Sequence, residues 1–171
     1  MKPEERTGFM KTLIVYVTKS GTTEECAQRL RELLGRADTD LLDLKVQRLP
    51  DFAAYDCIVL GSYIHYGKIG KRLKRFVSLH KEMLLEKKLG IFLCKGFEGE
   101  LKETFSKNFK PKLLRHALVY DSFGGVLQPD KLKGTEKRMA KMVQKTFEQA
   151  GKQPPHLDPD RIERFAQALL K

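Results

Sequence analysis

Residues 13–23 read LIVYVTKSGTT, and this stretch decides the fold of the chain. It begins with five consecutive apolar residues, largely β-branched, as a buried strand does. It then breaks into hydroxyl side chains around a single glycine, Gly21. From Cys26 onward, apolar residues recur at helical spacing until Gly35 ends the pattern. The sequence therefore predicts a strand that passes through a short polar loop directly into a helix.

This polar loop has the features of a phosphate-binding site. The first-turn N–H groups of a helix and the positive end of its dipole attract anions, and Gly21 allows a close backbone approach with φ above zero. A P-loop needs a lysine after its last glycine, and a dinucleotide fingerprint needs three spaced glycines. Here Thr22 and Thr23 follow one glycine. We therefore expect a terminal monophosphate such as that of FMN, with an ordinary Thr/Ser helix cap as the alternative.

The composition is that of a globular protein with a basic surface. With 171 residues and 41% hydrophobic content, we expect one domain over residues 1–171, with residues 1–10 as a loose leader. The apolar runs are about five residues long, far short of the ~20 that span a bilayer, and no signal peptide is recognisable, so we expect a cytoplasmic protein. The net charge of +11 favours acidic partners (anionic lipid, nucleic acid or an acidic protein). A basic protein without a special partner is the alternative.

The cysteines and histidines do not suggest a metal site. Cys26, Cys57 and Cys94 form no C-x-x-C pair and lie in apolar runs, which predicts small buried side chains. The four histidines are scattered, without metal-ligand spacing.

Apolar strands alternate with amphipathic helices along the rest of the chain. Further strands are predicted at residues 39–44, 55–61, 89–93 and 117–120. Further helices are predicted over residues 69–84, around 101–105, around 139–147 and over 158–170. Such alternation requires a parallel sheet covered on both faces, that is, a doubly wound α/β fold. Ligands bind beyond the carboxyl ends of such strands, so we expect loops 18–23, 61–68 and 94–99 to line the site.

The loop after the third strand places three ring side chains between two glycines. Tyr63, His65 and Tyr66 lie between Gly61 and Gly67. A flat isoalloxazine ring is held by aromatic faces and by backbone N–H groups near its reducible nitrogen. The sequence therefore predicts a flavin-ring contact here. The alternative is that one or two of these rings pack beneath the loop.

Together the two loops resemble those of the flavodoxins. The pattern T-x-S-G-x-T at residues 18–23 is similar to the FMN phosphate loop of that family. The pattern G-S-x-I-H-Y-G-K at residues 61–68 resembles the second flavin loop of a branch that contains the menaquinone-dependent protoporphyrinogen IX dehydrogenases. The stretch F-G-G-x-L at residues 123–127 and the capped C-terminal helix are also similar to that branch. The resemblance covers residues 12–170. It implies a flavodoxin-like, five-stranded parallel sheet in the order 2-1-3-4-5, with helices on both faces and FMN as cofactor.

Fifteen residues in the three loops are expected to contact FMN. The predicted phosphate contacts are Thr18, Lys19, Ser20, Gly21, Thr22 and Thr23. The predicted ring contacts are Ser62, Tyr63, Ile64, His65, Tyr66 and Gly67, with Lys95, Gly96 and Phe97 from the third loop.

The sequence thus predicts an FMN-binding electron-transfer protein whose partner is a redox protein or a quinone. The alternatives are a quinone-dependent protoporphyrinogen IX dehydrogenase of heme biosynthesis and a non-catalytic module of the same fold. The dehydrogenases carry a longer basic insertion between strands four and five, where residues 95–115 are short here. Ordinary flavodoxins are acidic and flank the flavin with Trp or Tyr, whereas this chain is basic and lacks Trp.

The charge pattern suggests where such a protein would meet its surroundings. Basic residues follow residue 69 at Lys71, Arg72, Lys74, Arg75 and Lys81. They predict either a solvated helix face or a weak peripheral contact with an anionic membrane. Nucleic acid is not expected as a partner, because the chain has no recognisable binding motif.

Overall fold

The computed structural model describes residues 9–46, 48–95, 100–126 and 128–171. The strands are β1 (Thr12–Tyr16), β2 (Thr39–Asp43), β3 (Cys57–His65), β4 (Lys68–Ile69), β5 (Lys88–Cys94) and β6 (Val119–Ser122). The α-helices are α1 (Thr22–Leu34), α2 (Lys71–Leu79), α3 (Lys81–Glu86), α4 (Leu101–Asn108), α5 (Pro111–His116), α6 (Gly134–Gln149) and α7 (Pro159–Leu170). Two short 3₁₀ turns lie at Phe52–Ala54 and Pro129–Lys131. The predicted leader lies mostly outside the described residues.

The strands form one sheet in the order β2-β1-β3-β5-β6, with all of these neighbours parallel. The short strand β4 pairs antiparallel with the end of β3. Apart from this added strand, the predicted order 2-1-3-4-5 is confirmed. In this order the carboxyl ends of β1, β3 and β5 lie side by side, and the loops that follow them share one edge of the sheet.

Each face of the sheet carries its own apolar core. Along β1, Leu13 and Val15 face the layer formed by α2, α3, α4 and α5, whereas Ile14 and Tyr16 face α1 and α7. Both faces are therefore buried, which explains why the strands read as continuous apolar runs rather than alternating ones. The three cysteines are buried, as predicted.

A glycine in the central strand admits an aromatic stack. Gly61 lies opposite Phe92 of β5, and a Cβ at Gly61 would lie 2.3 Å from the Phe92 ring. The ring occupies this space and stacks on Phe123, with centroids 4.6 Å apart. Phe165 of α7 meets Phe123 edge-on at 5.0 Å. The missing side chain at Gly61 therefore allows α7 to close over the sheet.

The third strand is longer than predicted, and the predicted loop at residues 61–68 is a hairpin. The strand continues through His65, the chain turns at Tyr66–Gly67, and β4 returns with Ile69 opposite Ile64. Both turn residues have positive φ, 49° and 74°, as a two-residue type I′ turn requires. The prediction missed the hairpin because only the second turn residue is of the expected Gly, Asn or Asp type.

The predicted helix over residues 69–84 is two helices. Ile69 belongs to β4, α2 begins at Lys71, and a break at His80 separates α2 from α3. The His80 backbone leaves the helical region at φ −113°, and its ring packs at 4.6 Å from the Phe76 ring.

Two further helices were incompletely predicted. The helix predicted around residues 101–105 is followed by a separate helix, α5, which begins at Pro111 because proline suits the first helical position, where its missing N–H has no intrahelical partner. The helix predicted around residues 139–147 extends over Gly134–Gln149 and ends before Gly151, which has φ 65°. The prediction for α7 is confirmed: the Asp158 carboxylate accepts hydrogen bonds from two first-turn N–H groups. No helix in the described part of the chain is long and apolar enough to cross a membrane.

Candidate functional site

A cleft of about 440 Å³ opens at the carboxyl edge of the sheet, within the range of about 300–1,000 Å³ typical of ligand and cofactor sites. It lies where the loops after β1, β3, β5 and β6 meet, as expected for a doubly wound sheet. Its lining includes the following predicted contact residues: Lys19, Ser20, Thr22, Thr23, Tyr63, Ile64, His65, Tyr66, Gly67 and Lys95. The fold therefore brings the three predicted loops to one place.

The first loop turns sharply into α1 and leaves the start of that helix open. Gly21 is the cap residue, with φ 90°, and its carbonyl accepts the Glu25 N–H at 3.0 Å. The Thr18 hydroxyl accepts the Gly21 N–H at 3.0 Å and so closes the loop. No side chain among the described residues caps α1. The alternative of an ordinary Thr/Ser cap is therefore wrong, and the first-turn N–H groups keep their capacity to bind an anion.

Two further features of this loop suit an anionic group. The Thr23 Oγ1 is buried and has no hydrogen-bond partner within the described residues, although an unsatisfied buried polar group costs about 1–3 kcal/mol. The Lys131 ammonium donates to the Ser20 carbonyl at 3.3 Å and lies 3.8 Å from where a Gly21 Cβ would be. The loop thus offers backbone donors, a hydroxyl without a partner and a nearby positive charge.

The hairpin forms the opposite rim of the cleft. Tyr66 is 74% exposed, and its ring meets the His65 ring edge-on at 4.4 Å. A non-glycine residue with positive φ costs on the order of 1–3 kcal/mol and is found most often at ligand sites. Tyr63 instead packs on Gly70 beneath the hairpin, where a Cβ would lie 3.1 Å from its hydroxyl. The alternative of a ring packed below the loop therefore describes Tyr63, and two rings remain at the rim.

Several predicted contact residues lie outside the described cleft lining. Ser62 is buried, its hydroxyl donates to the Tyr63 carbonyl at 2.8 Å and accepts the Gly70 N–H at 3.0 Å, and it therefore braces the hairpin. Thr18 and Gly21 are outside the lining, and the hydrogen bond between the Thr18 hydroxyl and the Gly21 N–H fixes the conformation of the first loop. Gly96 and Phe97 lie outside the described residues.

A polar cluster crosses the cleft from the first loop to α6. The Glu136 carboxylate accepts from the Lys19 ammonium at 2.9 Å and lies 3.2 Å from His65 Nε2. The Lys19 ammonium also lies 3.4 Å from His65 Nδ1. The hydrogen bond from Lys19 holds the pKa of Glu136 below its usual value. These side chains are about a third exposed, so they tie α6 to both loops only weakly.

The floor of the cleft is neutral. Cys94 lies at the end of β5 and lines the cleft, with its Sγ 3.5 Å from Cys26 Sγ. The hydrogen bond with Cys26, together with burial, raises the pKa of the Cys94 thiol well above its usual range. This side of the site therefore presents an uncharged, apolar surface.

One wall of the cleft was not predicted from the sequence. It is formed by Gly125, Val126, Leu132, Glu136 and Met139, all from the segment between β6 and α7. That segment follows the last strand in the sheet order, whose loop was not expected to reach the site. The sequence offered no local signal for this wall, because residues 123–158 contain the helix α6, whose place at the cleft depends on contacts with distant residues such as Lys19.

Comparisons with known proteins agree with this architecture. A model of the flavodoxin domain matches residues 13–153. Protoporphyrinogen IX dehydrogenase (quinone) of Escherichia coli is 34% identical over 77 residues. The match covers 44% of this chain and 42% of that enzyme, so the chain matches less than half the length of this curated relative.

Two solved structures are similar in fold. Oxidised flavodoxin 2 from Bacillus cereus has a TM-score of 0.56 at 21% identity, over 93% of this chain and 97% of that one. A flavoprotein from Lactobacillus acidophilus in complex with FMN has a TM-score of 0.53 at 17% identity, over 66% of this chain and 93% of that one. Since the domain model spans most of the sequence and the strand order agrees with it, the chain belongs to the flavodoxin family.

Proposed function

We propose that the cleft binds FMN and that the protein transfers electrons through this cofactor. The observation that carries the proposal is the open start of α1 at Gly21, which faces a hairpin rim with the exposed Tyr66 ring and the partly exposed His65 ring across one cleft. Membership of the flavodoxin family supports the same cofactor. FMN supplies one- and two-electron redox chemistry at its ring nitrogens.

The first loop would hold the phosphate. The N–H groups at the start of α1 and the Thr23 hydroxyl would donate to phosphate oxygens, and Lys131 would add positive charge. Binding there would satisfy the Thr23 hydroxyl, which has no partner among the described residues. The Thr18 hydroxyl accepts the Gly21 N–H and so fixes the conformation of the loop, in which the first-turn N–H groups of α1 have no side-chain cap.

The hairpin and the α6 wall would surround the flavin ring. His65 and Tyr66 provide ring faces at one rim, and Val126, Leu132 and Met139 provide apolar surface at the other. Apolar walls exclude water and strengthen the electrostatic influence of nearby charges on the ring. The Lys19–Glu136 ion pair lies in the described cleft lining and would supply such charges.

Reconstitution with FMN tests the phosphate loop. Gly21→Val should abolish binding, because valine is strained at φ 90° and its side chain would enter the space between the loop and the Lys131 ammonium, where the phosphate would lie. Thr23→Ala should weaken binding by about 1–2 kcal/mol, the contribution of one hydrogen bond to a charged group. Binding is measured by quenching of FMN fluorescence. Thr146→Ala is the control, since this exposed threonine lies on α6 away from the cleft. Absence of quenching by the unmodified protein at excess FMN would overturn the proposal.

Ring-side substitutions test the hairpin. Tyr66→Ala and His65→Ala should each shift the visible flavin spectrum or the reduction potential, because they remove ring contacts at the rim. Phe147→Leu, on α6 outside the cleft lining, should shift neither. Equal, negligible shifts at both places would mean that the hairpin plays no part in flavin binding.

A quinone-linked oxidation of protoporphyrinogen is the second candidate function. The 34% identity to the Escherichia coli enzyme favours it, and Met139, 54% exposed at the cleft, adds apolar surface for a large substrate. The FMN-loaded protein should then oxidise protoporphyrinogen only when a soluble quinone analogue is supplied. Turnover that does not depend on quinone, or no turnover at full flavin loading, would leave the electron-transfer protein as the function.

A weak peripheral membrane contact would accompany a quinone partner. Residues 66–81 contain six basic residues and no acidic one: Lys68, Lys71, Arg72, Lys74, Arg75 and Lys81. The four basic residues on α2 are exposed, and each basic residue near an anionic surface contributes about 1 kcal/mol. The protein should therefore sediment with anionic vesicles at low salt and be released at high salt. No sedimentation at low salt would rule this contact out.

A further inference from the structure

Asn108, the last residue of α4, is hydrogen-bonded to the turn and to the second strand of the cleft hairpin. Its Nδ2 donates to the Gly67 carbonyl at 2.9 Å and to the Thr104 carbonyl at 2.8 Å. Its Oδ1 accepts the Ile69 N–H at 3.0 Å. The nitrogen meets two carbonyls and the oxygen meets an N–H, so the network fixes the orientation of the carboxamide. One side chain therefore uses its donors and its acceptor to join α4 to the hairpin.

The same face of α4 also contacts Lys95, which follows β5 at the cleft. Thr104 lies four residues before Asn108 and is therefore its neighbour on the helix surface. Its buried hydroxyl accepts from the Lys95 ammonium at 3.0 Å. Lys95 lines the cleft, whereas Thr104 and Asn108 are outside the lining. Helix α4 thus acts on two cleft loops without forming the wall itself.

The hairpin needs such an anchor. Strand β4 has two residues, and hairpins of this size are marginally stable on their own in water. The turn also contains Tyr66 at φ 49°, a conformation that side chains rarely adopt. A strained turn on a minimal hairpin keeps one conformation only when its surroundings over-determine it. The two hydrogen bonds from Asn108 to Gly67 and Ile69 supply that constraint from a residue about 40 positions away in sequence.

We propose that Asn108 is a positioning residue for the flavin: by holding the Gly67 carbonyl and the Ile69 N–H, it fixes the Tyr66–Gly67 turn at the cleft rim and thereby sets flavin affinity and reduction potential. This inference rests on the proposed binding of FMN in the cleft. It assigns Asn108 no contact with the cofactor.

Two substitutions separate the hydrogen bonds of Asn108. Asn108→Ala removes all three. Asn108→Asp keeps the acceptor for the Ile69 N–H but removes both donors and places a carboxylate oxygen against two carbonyls. Ser106→Ala is the matched control, because it removes a hydrogen bond of 2.8 Å from the exposed side of the same helix. Thermal unfolding identifies a temperature at which all four proteins are folded.

Three measurements are then made at that temperature: hydrogen exchange of the Ile69 amide without FMN, the Kd for FMN, and the midpoint reduction potential. We expect faster Ile69 exchange in Asn108→Ala, and FMN affinity about five- to tenfold lower in both Asn108 variants, the effect of losing roughly one net hydrogen bond. We also expect a shifted potential in both, with Ser106→Ala like the unmodified protein.

The outcomes distinguish this inference from the function on which it rests. If the Asn108 variants bind FMN with the affinity and potential of Ser106→Ala, Asn108 does not position the flavin. If the unmodified protein itself binds no FMN, the proposed function fails. In that case the exchange rate of the Ile69 amide still shows whether Asn108 holds the hairpin.

Discussion

Helices α6 and α7 follow one another in sequence but relate to the core in opposite ways. Over its 12 residues, α7 buries Ile162, Phe165, Ala166 and Leu169 against α1 and the sheet. Over its 16 residues, α6 buries Ala140 alone among those described. It leaves Met139 and Met142 exposed by 54% and 68%, and packs mainly on the 3₁₀ turn at Pro129–Lys131. Thus α7 completes the fold, whereas α6 is held beside it.

Helix α6 buries little of its surface, but it contributes residues to the cleft. Glu136 and Met139 line the site, and no residue of α7 does so within the described lining. The excursion that carries α6 is fastened at its base, where the Asp158 N–H donates to the Phe123 carbonyl at 2.9 Å and Gly124 pairs with Leu157. The difference indicates that this family fold can carry a site-forming segment whose own packing contributes little to stability.

The largest expected effect is the loss of a core ring from α7. Phe165 is 1% exposed and meets the rings of Phe92 and Phe123 edge-on. Phe165→Ala should lower the free energy of unfolding by about 3–5 kcal/mol, because it removes buried apolar surface and leaves a cavity. Urea unfolding followed by circular dichroism measures the change.

The matched substitution on α6 is Met142→Ala. Because this side chain is largely exposed, the free energy of unfolding should change by no more than about 0.5 kcal/mol. A loss comparable to that of Phe165→Ala would show that α6 is part of the cooperative core, and the contrast between the two helices would be wrong.

The contrast also explains what the sequence could predict. Helix α7 can be predicted from its own residues: Asp158 is the cap, Pro159 takes the first helical position, and an apolar stripe follows. The first loop, which we propose holds the phosphate, is equally local, since residues 18–23 contain both the turn and its hydroxyls. The apolar spacing from Met139 to Phe147 predicted that α6 is a helix. It did not predict that α6 lies beside the cleft. That place depends on contacts such as Lys19–Glu136, whose partners are 117 residues apart in sequence.

The hairpin likewise depends on a residue that is distant in sequence. Its rings were recognisable at residues 63–66, but the turn that presents them depends on Asn108, from a helix elsewhere in the chain. Local patterns therefore predicted the doubly wound sheet and the residue types at the cleft, and the resemblance to the flavodoxins supplied the order of the strands. They did not predict the supports that come from distant elements.

A second, smaller effect is expected at the base of the excursion. Gly124 has φ 79°, and a Cβ there would lie 2.2 Å from the His156 carbonyl oxygen, which is backbone and cannot move aside freely. Gly124→Ala should lower the free energy of unfolding by about 2–3 kcal/mol, the range for a substitution that combines backbone strain with steric overlap. It should also weaken FMN binding, because the base of the cleft wall shifts.

Gly151→Ala is the control for backbone strain without overlap. Gly151 follows α6 with φ 65°, and a Cβ there meets nothing within 4 Å. This substitution should cost about 1 kcal/mol, from the left-handed conformation alone. Equal losses for the two glycines would mean that the contact with His156 does not fasten the excursion.

The smallest expected effect is electrostatic and concerns the ion pair between Glu136 of α6 and Lys19 of the first loop. The Lys19 ammonium holds the pKa of Glu136 below its usual value of 4.5. A carboxyl whose pKa is lower in the folded state stabilises the fold above its unfolded pKa, and this contribution is lost as pH falls through the lower, folded pKa. Glu136→Gln should therefore be slightly less stable than the unmodified protein at neutral pH and equally stable below the folded pKa of Glu136.

Since the substitution also frees Lys19 for an anionic ligand, FMN should bind more tightly at neutral pH. Urea unfolding and FMN titration between pH 3 and 7 measure both differences, with Phe165→Ala as the comparison whose apolar loss should be the same at every pH. A stability difference for Glu136→Gln that persists unchanged into acid would show that α6 is held at the cleft by packing rather than by charge.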